Sequence, residues 1–279
     1  MLHSNVLTGL FFLAAIALNS VPMCLGAIGG SLVAYVVASV SGAKREHLDQ
    51  GLYGYNGALV GLACTLYWPV GTELLIILGL AASLSTLLMR LLIDRLGCPV
   101  YTAPFILTVW LVTAVVGVEP VPAVEVSRTG WDNLLLGFGQ VLFLDQPLSC
   151  LLIMVGIGIA SVRALCCAAV AIVLSSGFAF LIGASGDSVF SGLYAYNAVL
   201  VAMALPARSE QGALLLFAAI LLSVVLTGWL QQSGLPVLTA PFVLACWLVL
   251  PLWHRLEHLY RTRTLPAAGG VAEGPATTA

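Results

Sequence analysis

Charge is what this chain has least of. Asp, Glu, Lys and Arg make up 8% of its 279 residues, against about 25% in a soluble domain. Hydrophobic residues make up 61%, and mean hydropathy is +1.07. A water-surrounded globular fold is excluded, because most of the chain must face lipid or other apolar helices. The ten basic residues form no patch of the kind that binds nucleic acid. The seven cysteines contain no Cys-x-x-Cys pair and are odd in number, so they read as small apolar packing residues. The N-terminus has no basic n-region and no clear small-residue cleavage site, so no cleavable signal peptide is expected.

The few charges divide the chain. Residues 1–43, 51–72, 74–89 and 96–118 carry none, nor do 146–162, 164–186, 188–207 and 211–254. A spanning helix needs about 20 apolar residues, so the first and last runs each hold two spans. Pro22 and the Gly234-Leu235-Pro236 turn are natural breaks near their midpoints. About ten spans result.

The sequence repeats itself. Gly51-Leu52-Tyr53-Gly54-Tyr55-Asn56-Gly57-Ala58-Leu59-Val60-Gly61-Leu62-Ala63 returns at Gly192–Ala204, with eight of thirteen positions identical and an offset of 141. Gly97–Leu111 returns at Gly234–Leu248 with ten of fifteen identical and an offset of 137. Each half therefore holds about five spans, and an odd number turns the second half over relative to the first. The expectation is an all-α integral membrane fold of about ten transmembrane helices. They form two inverted five-span repeats, with broken or re-entrant helices lining a central pore. The expected division is a first repeat at 1–118, a linker at 119–130, a second repeat at 131–254 and a tail at 255–279. With this topology Lys44, Arg95, Arg163, Arg208 and the basic tail share one face, while the linker on the other carries only Arg128. Basic loops stay cytoplasmic, so both termini are expected inside. Residues 254–263 read as a short interfacial helix end, and the Pro/Gly/Ala/Thr-rich stretch from Thr264 as disordered.

The repeated blocks carry the chemistry. Pro99 and Pro236 donate no backbone hydrogen bond, and Pro104 and Pro241 repeat the defect five residues on. Two prolines around a threonine inside a span imply a broken helix, tolerated in lipid only where protein or a wet cavity satisfies the backbone. The freed carbonyls and the Thr102 and Thr239 hydroxyls are then expected along a polar path. Asn56 and Asn197 are costly in a membrane unless bonded. Their reading is chiefly structural, bracing the break, with solute contact as the alternative. Leu59 and Leu200, three residues on, share their helix face. Trp131–Phe143 is too short to span. It reads as a half-helix entering from the linker face with Gln140 at its end, or else as an interfacial amphipathic helix.

Taken together, the paired Pro-Val-x-Thr-Ala-Pro-Phe blocks, the paired Tyr-Asn blocks and Gly137-Phe138-Gly139-Gln140-Val141-Leu142-Phe143 resemble the urea transporter family. Leu7-Thr8-Gly9-Leu10, matching Leu148-Ser149-Cys150-Leu151, belongs to the same likeness, which runs from Leu7 to about Trp253. The resemblance implies a homotrimer in the cell membrane with one pore per protomer and no cofactor. Each pore is a flat slot whose apolar walls sandwich urea while edge oxygens accept its N–H bonds. Carried over, Gln140, Val141 and Phe143 stand at one end of the slot. Thr102 and Thr239 flank its centre, and Leu59, Leu200, Phe105 and Phe242 wall it. A neutral solute with several N–H donors needs acceptors in file, and apolar walls exclude hydrated ions. By the 141 offset Met1 aligns with Leu142, so the first half as written carries no copy of the half-helix. The family pattern leads one to expect either a start upstream of Met1 or a truncated form.

Other classes fare worse. An ammonium channel uses mid-membrane histidines, whereas His3, His47, His254 and His258 sit at expected ends or loops. An ion-coupled transporter places acids inside the membrane, whereas Asp49, Asp94, Asp145 and Asp187 lie at boundaries and Glu73 at a helix start. No metal or nucleophile constellation supports an intramembrane enzyme. A structural membrane subunit is the remaining alternative, separable by solute flux.

Overall fold

The computed structural model describes residues 6–117, 130–205 and 210–264. The described residues are helical throughout, without strands. The first half runs α1 (Val6–Asn19), α2 (Val21–Val40), α3 (Arg45–Asp49), α4 (Leu52–Tyr67), α5 (Thr72–Arg95) and α6 (Ala103–Val116). Then come α7 (Gly130–Gly139) and a 3-10 turn at Gln140–Leu142. The second half runs α8 (Pro147–Ala160), α9 (Val162–Leu181), α10 (Gly186–Phe190), α11 (Ala195–Ala204), α12 (Glu210–Gln232) and α13 (Ala240–Thr264). The linker up to residue 129, Arg128, Arg208 and the tail from residue 265 lie outside the described residues.

Local signals recur at the repeat spacing. Ser20 caps α2 by accepting from the Met23 amide at 3.4 Å, and Ser161 caps α9 by accepting from the Ala164 amide at 3.2 Å. Each cap ends one helix and starts the next. Gly51 and Gly192 both take positive φ, +68° and +80°, where the chain turns into the Tyr-Asn block.

Besides the ten-residue α7, ten helices of ten or more residues occupy the ten expected segments. By length and composition four cross a membrane, α2, α5, α9 and α12 over its residues 212–232, and they pair across the repeat. The apolar stretches of α1 and α6 and the Ala240–Trp253 part of α13 have 14 residues each, or about 21 Å at 1.5 Å per residue. That is less than the roughly 30 Å hydrocarbon core. In α6 and α13 the deficit follows from the proline breaks, because the helices start at Ala103 and Ala240, inside the expected spans. α13 continues through Pro251 to Thr264, over the 254–263 stretch expected as a helix end.

Packing follows membrane rules. α2 and α4 touch through Gly26 and Gly30 against Gly57 and Gly61, small residues four apart on each helix. A Cβ on Gly61 would stand 1.9 Å from the Gly26 carbonyl oxygen, so only glycine permits this approach. The opposite face of α2 exposes Val21, Leu25, Leu32, Val36 and Val40, an apolar stripe suited to lipid. α1 lies against α8, joining the halves, and Thr8 Oγ1 donates to the Gly156 carbonyl at 3.0 Å. This is a multi-pass, all-α membrane protein.

Candidate functional site

The two broken helices meet at the centre. Thr102 and Thr239, each just before its helix, are buried with their hydroxyl oxygens 2.7 Å apart. Trp110 Nε1 donates to the Pro236 carbonyl at 2.8 Å, and Trp247 Nε1 donates to the Pro99 carbonyl at 2.8 Å. Residue i of one half contacting j of the other, while j's equivalent contacts i's, is the mark of a two-fold axis. That axis passes beside the Thr102–Thr239 pair.

Backbone strain is concentrated here. Tyr101 and Leu238, the residues before the threonines, have φ of +52° and +46°. Bulky residues rarely adopt this region, and each costs about 1–3 kcal/mol unless the surroundings fix it. The asparagines fix it. Asn56 Nδ2 donates to the Tyr101 carbonyl at 3.2 Å, and its Oδ1 accepts from the Phe105 amide at 3.3 Å. Asn197 Nδ2 donates to the Leu238 carbonyl at 3.3 Å, and its Oδ1 accepts from the Phe242 amide at 3.1 Å. The amides satisfied are those directly after Pro104 and Pro241, where the helix offers no partner. Both asparagines thus bridge the two sides of their helix breaks.

The freed carbonyls are more occupied than the sequence suggests. Those of Pro99 and Pro236 are taken by tryptophans, and those of Tyr101 and Leu238 by asparagines. Leu238 also accepts from the Tyr196 hydroxyl, so only the second lone pairs of Pro99, Tyr101 and Pro236 remain for a solute. The Trp110 and Trp247 clamps escaped a functional assignment from sequence. Their signal was present, since tryptophan stands at the same place in both copies of the proline block.

α7 is the half-helix, not a surface helix. It packs on α8, α9, α10 and α11, with Leu136 and Phe138 buried. The segment Leu134–Leu142 meets α8 at a bend of 83°. Phe143 reverses the chain at φ +60°, and its ring stands edge-on to Phe105 at a centroid separation of 6.4 Å. Gln140 and Val141 are half-buried in the turn beside it, and no hydrogen bond ties the Gln140 side chain among the described residues. Phe105, Phe242, Leu59 and Leu200 are all buried around the centre. The turn after α7 thus sets Gln140, Val141 and Phe143 beside Phe105 of the first half.

On the first-half side lies a cavity of about 240 Å³. It reaches from the exposed Gln50–Gly51 corner to Thr102, past Tyr55, Met89, Leu200 and Phe242. A second cavity of about 270 Å³ adjoins it through Gln50, Leu52, Met89 and Tyr101. One water needs roughly 10–15 Å³, so either is roomy enough for a hydrated small solute. The residues lining the cavity that reaches Thr102 are uncharged. Tyr55 and Met203, which line it, were not singled out from sequence.

The urea transporter family model matches residues 1–252. Urea transporter 1 of Ovis aries is 23% identical, over 92% of this chain and 75% of its own length. Urea transporter 1 of Rattus norvegicus is 24% identical with the same coverage. The protein of that name from Mus musculus is 32% identical over 41% of this chain and 32% of its own length. Nearly the whole chain, including both broken helices and the half-helix between the repeats, falls within one match, and the chain belongs to the urea transporter family.

Proposed function

We propose that this chain passes urea passively across the membrane along the interface of its two repeats. The carrying observation is the central pair of broken helices, locked by reciprocal Trp-to-carbonyl bonds and joined by the Thr102–Thr239 contact. It gives hydroxyls and backbone oxygens a fixed place at the junction of the halves. Urea is planar and neutral, with N–H donors along its edges and flat apolar-tolerant faces. Threonine oxygens and second carbonyl lone pairs suit the edges, and Phe105, Phe242, Leu59 and Leu200 suit the faces. Gln140 offers an amide that both donates and accepts, with Val141 and Phe143 as walls at the same end. Asn197, Pro99, Pro104, Pro236 and Pro241 shape this path, as does Asn56, which also lines the cavity.

Residues 1–118 and 131–254 act as the two repeats, joined by 119–130. The protein resides in the cell membrane as a homotrimer with one path per protomer and both termini cytoplasmic. The basic residues Lys44, Arg95 and Arg163 support that orientation, and the trimer rests on the family alone. Family membership also makes transport, not catalysis, the activity.

Stopped-flow light scattering on proteoliposomes facing a urea gradient tests the reading. Wild-type protein is expected to speed urea equilibration, and Thr239→Trp to abolish the effect by filling the junction. Folded, inserted protein that moves no urea would sink the proposal.

A further inference from the structure

The two halves differ at the ends of α5 and α12. Tyr53 and Tyr194 hold equivalent places in the repeated block, and the same offset of 141 relates Arg90 to Gln231. In the second half Tyr194 donates its hydroxyl to Gln231 Oε1 at 2.7 Å, a neutral pair. Arg90 turns elsewhere. It is half-buried and donates through Nη1 to the Ser41 carbonyl, at the end of α2. A cation there complements the helix dipole. The bond uses one of five guanidinium N–H groups, and among the described residues Arg90 forms no ion pair.

Arg90 directly follows the charge-free run 74–89 of α5, so its guanidinium stands where the hydrocarbon layer ends. Leu87 and Leu91, beside it on α5, are exposed, as are Val36 and Val40 at the end of α2. Lys44 and Arg45 follow the Ser41 turn and Arg95 ends α5, all three exposed. Glu46, Asp49 and Asp94 are exposed at the same end, so the basic excess alone is small. What singles the place out is Arg90, a partly desolvated cation with spare donors where two apolar stripes end. A soluble anion would meet the donors and leave the stripes bare. A phosphodiester that carries acyl chains meets both. A zwitterionic headgroup would also bring a second cation against Lys44 and Arg45. We propose that the Ser41 turn and the end of α5 seat the headgroup phosphate of an anionic glycerophospholipid, held by Arg90 with Lys44 and Arg45 assisting. The seat needs only that the chain is embedded in a membrane, and stands apart from the urea reading.

Native mass spectrometry of the full chain, delipidated in detergent, is the test. Phosphatidylglycerol is expected to bind about tenfold tighter than phosphatidylcholine of the same acyl chains, the worth of a hydrogen bond to a charged group. Arg90→Gln installs the side chain that the second half carries at this place and keeps a donor for the Ser41 carbonyl. It should erase the preference. Lys44→Gln/Arg45→Gln changes exposed side chains only, and should weaken phosphatidylglycerol about fivefold with folding unchanged. Arg163→Gln, a basic residue of the second half assigned to the same face, should leave the affinity as it was. Inorganic phosphate, titrated by calorimetry, should bind far more weakly than phosphatidylglycerol. Equal affinity for the two lipids overturns the seat. An equal loss in Arg90→Gln and Arg163→Gln also overturns it, since the attraction would then belong to the basic surface at large. Inorganic phosphate that binds as tightly as the lipid would mark a free-anion site instead. Should Arg90→Gln fail to fold, an unchanged preference in the Lys44→Gln/Arg45→Gln protein overturns the proposal by itself.

Discussion

Replacing Asn197 with alanine separates a brace from a spectator. Asn197 is fully buried and outside the cavity, and its amide holds both sides of the helix break. Alanine leaves the Phe242 amide without a partner, because Pro241 precedes it and the Leu238 carbonyl faces elsewhere. An orphaned buried donor costs about 1–3 kcal/mol. The Leu238 carbonyl keeps the Tyr196 hydroxyl, so it adds little. The truncated side chain adds a small packing loss, giving about 2–4 kcal/mol in all. Asn56→Ala removes the equivalent bonds, but Asn56 lines the cavity. Water there can reach the Phe105 amide and the Tyr101 carbonyl, so the expected cost is about half as large. The assay is reversible unfolding of both variants in mixed detergent micelles, followed by tryptophan fluorescence. A cost below about 0.5 kcal/mol for Asn197→Ala would refute the brace. Equal costs for the two variants would show that the cavity is dry or closed.

Three further outcomes follow from the same geometry. Trp110→Phe and Trp247→Phe each remove one bond between the halves and should each cost about 0.6–1.7 kcal/mol, the range measured for such bonds in membranes; the same unfolding assay reads this. Gly61→Val places a Cβ against the Gly26 carbonyl and should separate α2 from α4, seen as loss of folded, monodisperse protein on size exclusion. Gln140→Met keeps the side-chain length but removes the amide donor and acceptor, so urea permeability should fall about fivefold, one net hydrogen bond, with folding unchanged.

Which parts were legible depends on how each residue signals. The helix breaks were readable because proline acts locally, and Pro104 and Pro241 stop any helix from reaching back through them. The half-helix was readable because the apolar run from Trp131 to Phe143 is too short to cross a bilayer. The two-fold centre was readable because similar blocks recurring in the same order at offsets of 141 and 137 must pair alike. Contacts between the halves were not. Nothing near Trp110 announces that its indole ends on Pro236, 126 residues away. The occupancy of the carbonyls by tryptophan and asparagine depends on that same long-range meeting. The cavity was hidden for another reason. Tyr55 and Tyr196 share a motif, yet one lines the cavity and the other is buried against the Leu238 carbonyl.

The centre also bears on how transport proceeds. A rocking transporter moves one repeat against the other about a central site. Here such a motion would break both Trp-to-Pro carbonyl bonds and the Thr102–Thr239 contact together. It would also strip the partners from tryptophan donors with no water beside them in lipid. At about 0.6–1.7 kcal/mol each, three such contacts add roughly 2–5 kcal/mol to each cycle. The left-handed Tyr101 and Leu238 lie between those contacts and are held by asparagines of their own halves, so each half is braced internally as well. A solute without charge offers no ion gradient to offset that cost. A centre fixed in one arrangement, with solute moving past it, is the cheaper route. Cross-linking the halves should therefore leave urea flux intact. A cysteine pair placed where α1 meets α8, the contact that joins the halves, is a direct trial. Flux that stops on oxidation and returns on reduction would show that the halves must move, and would overturn the fixed-path reading.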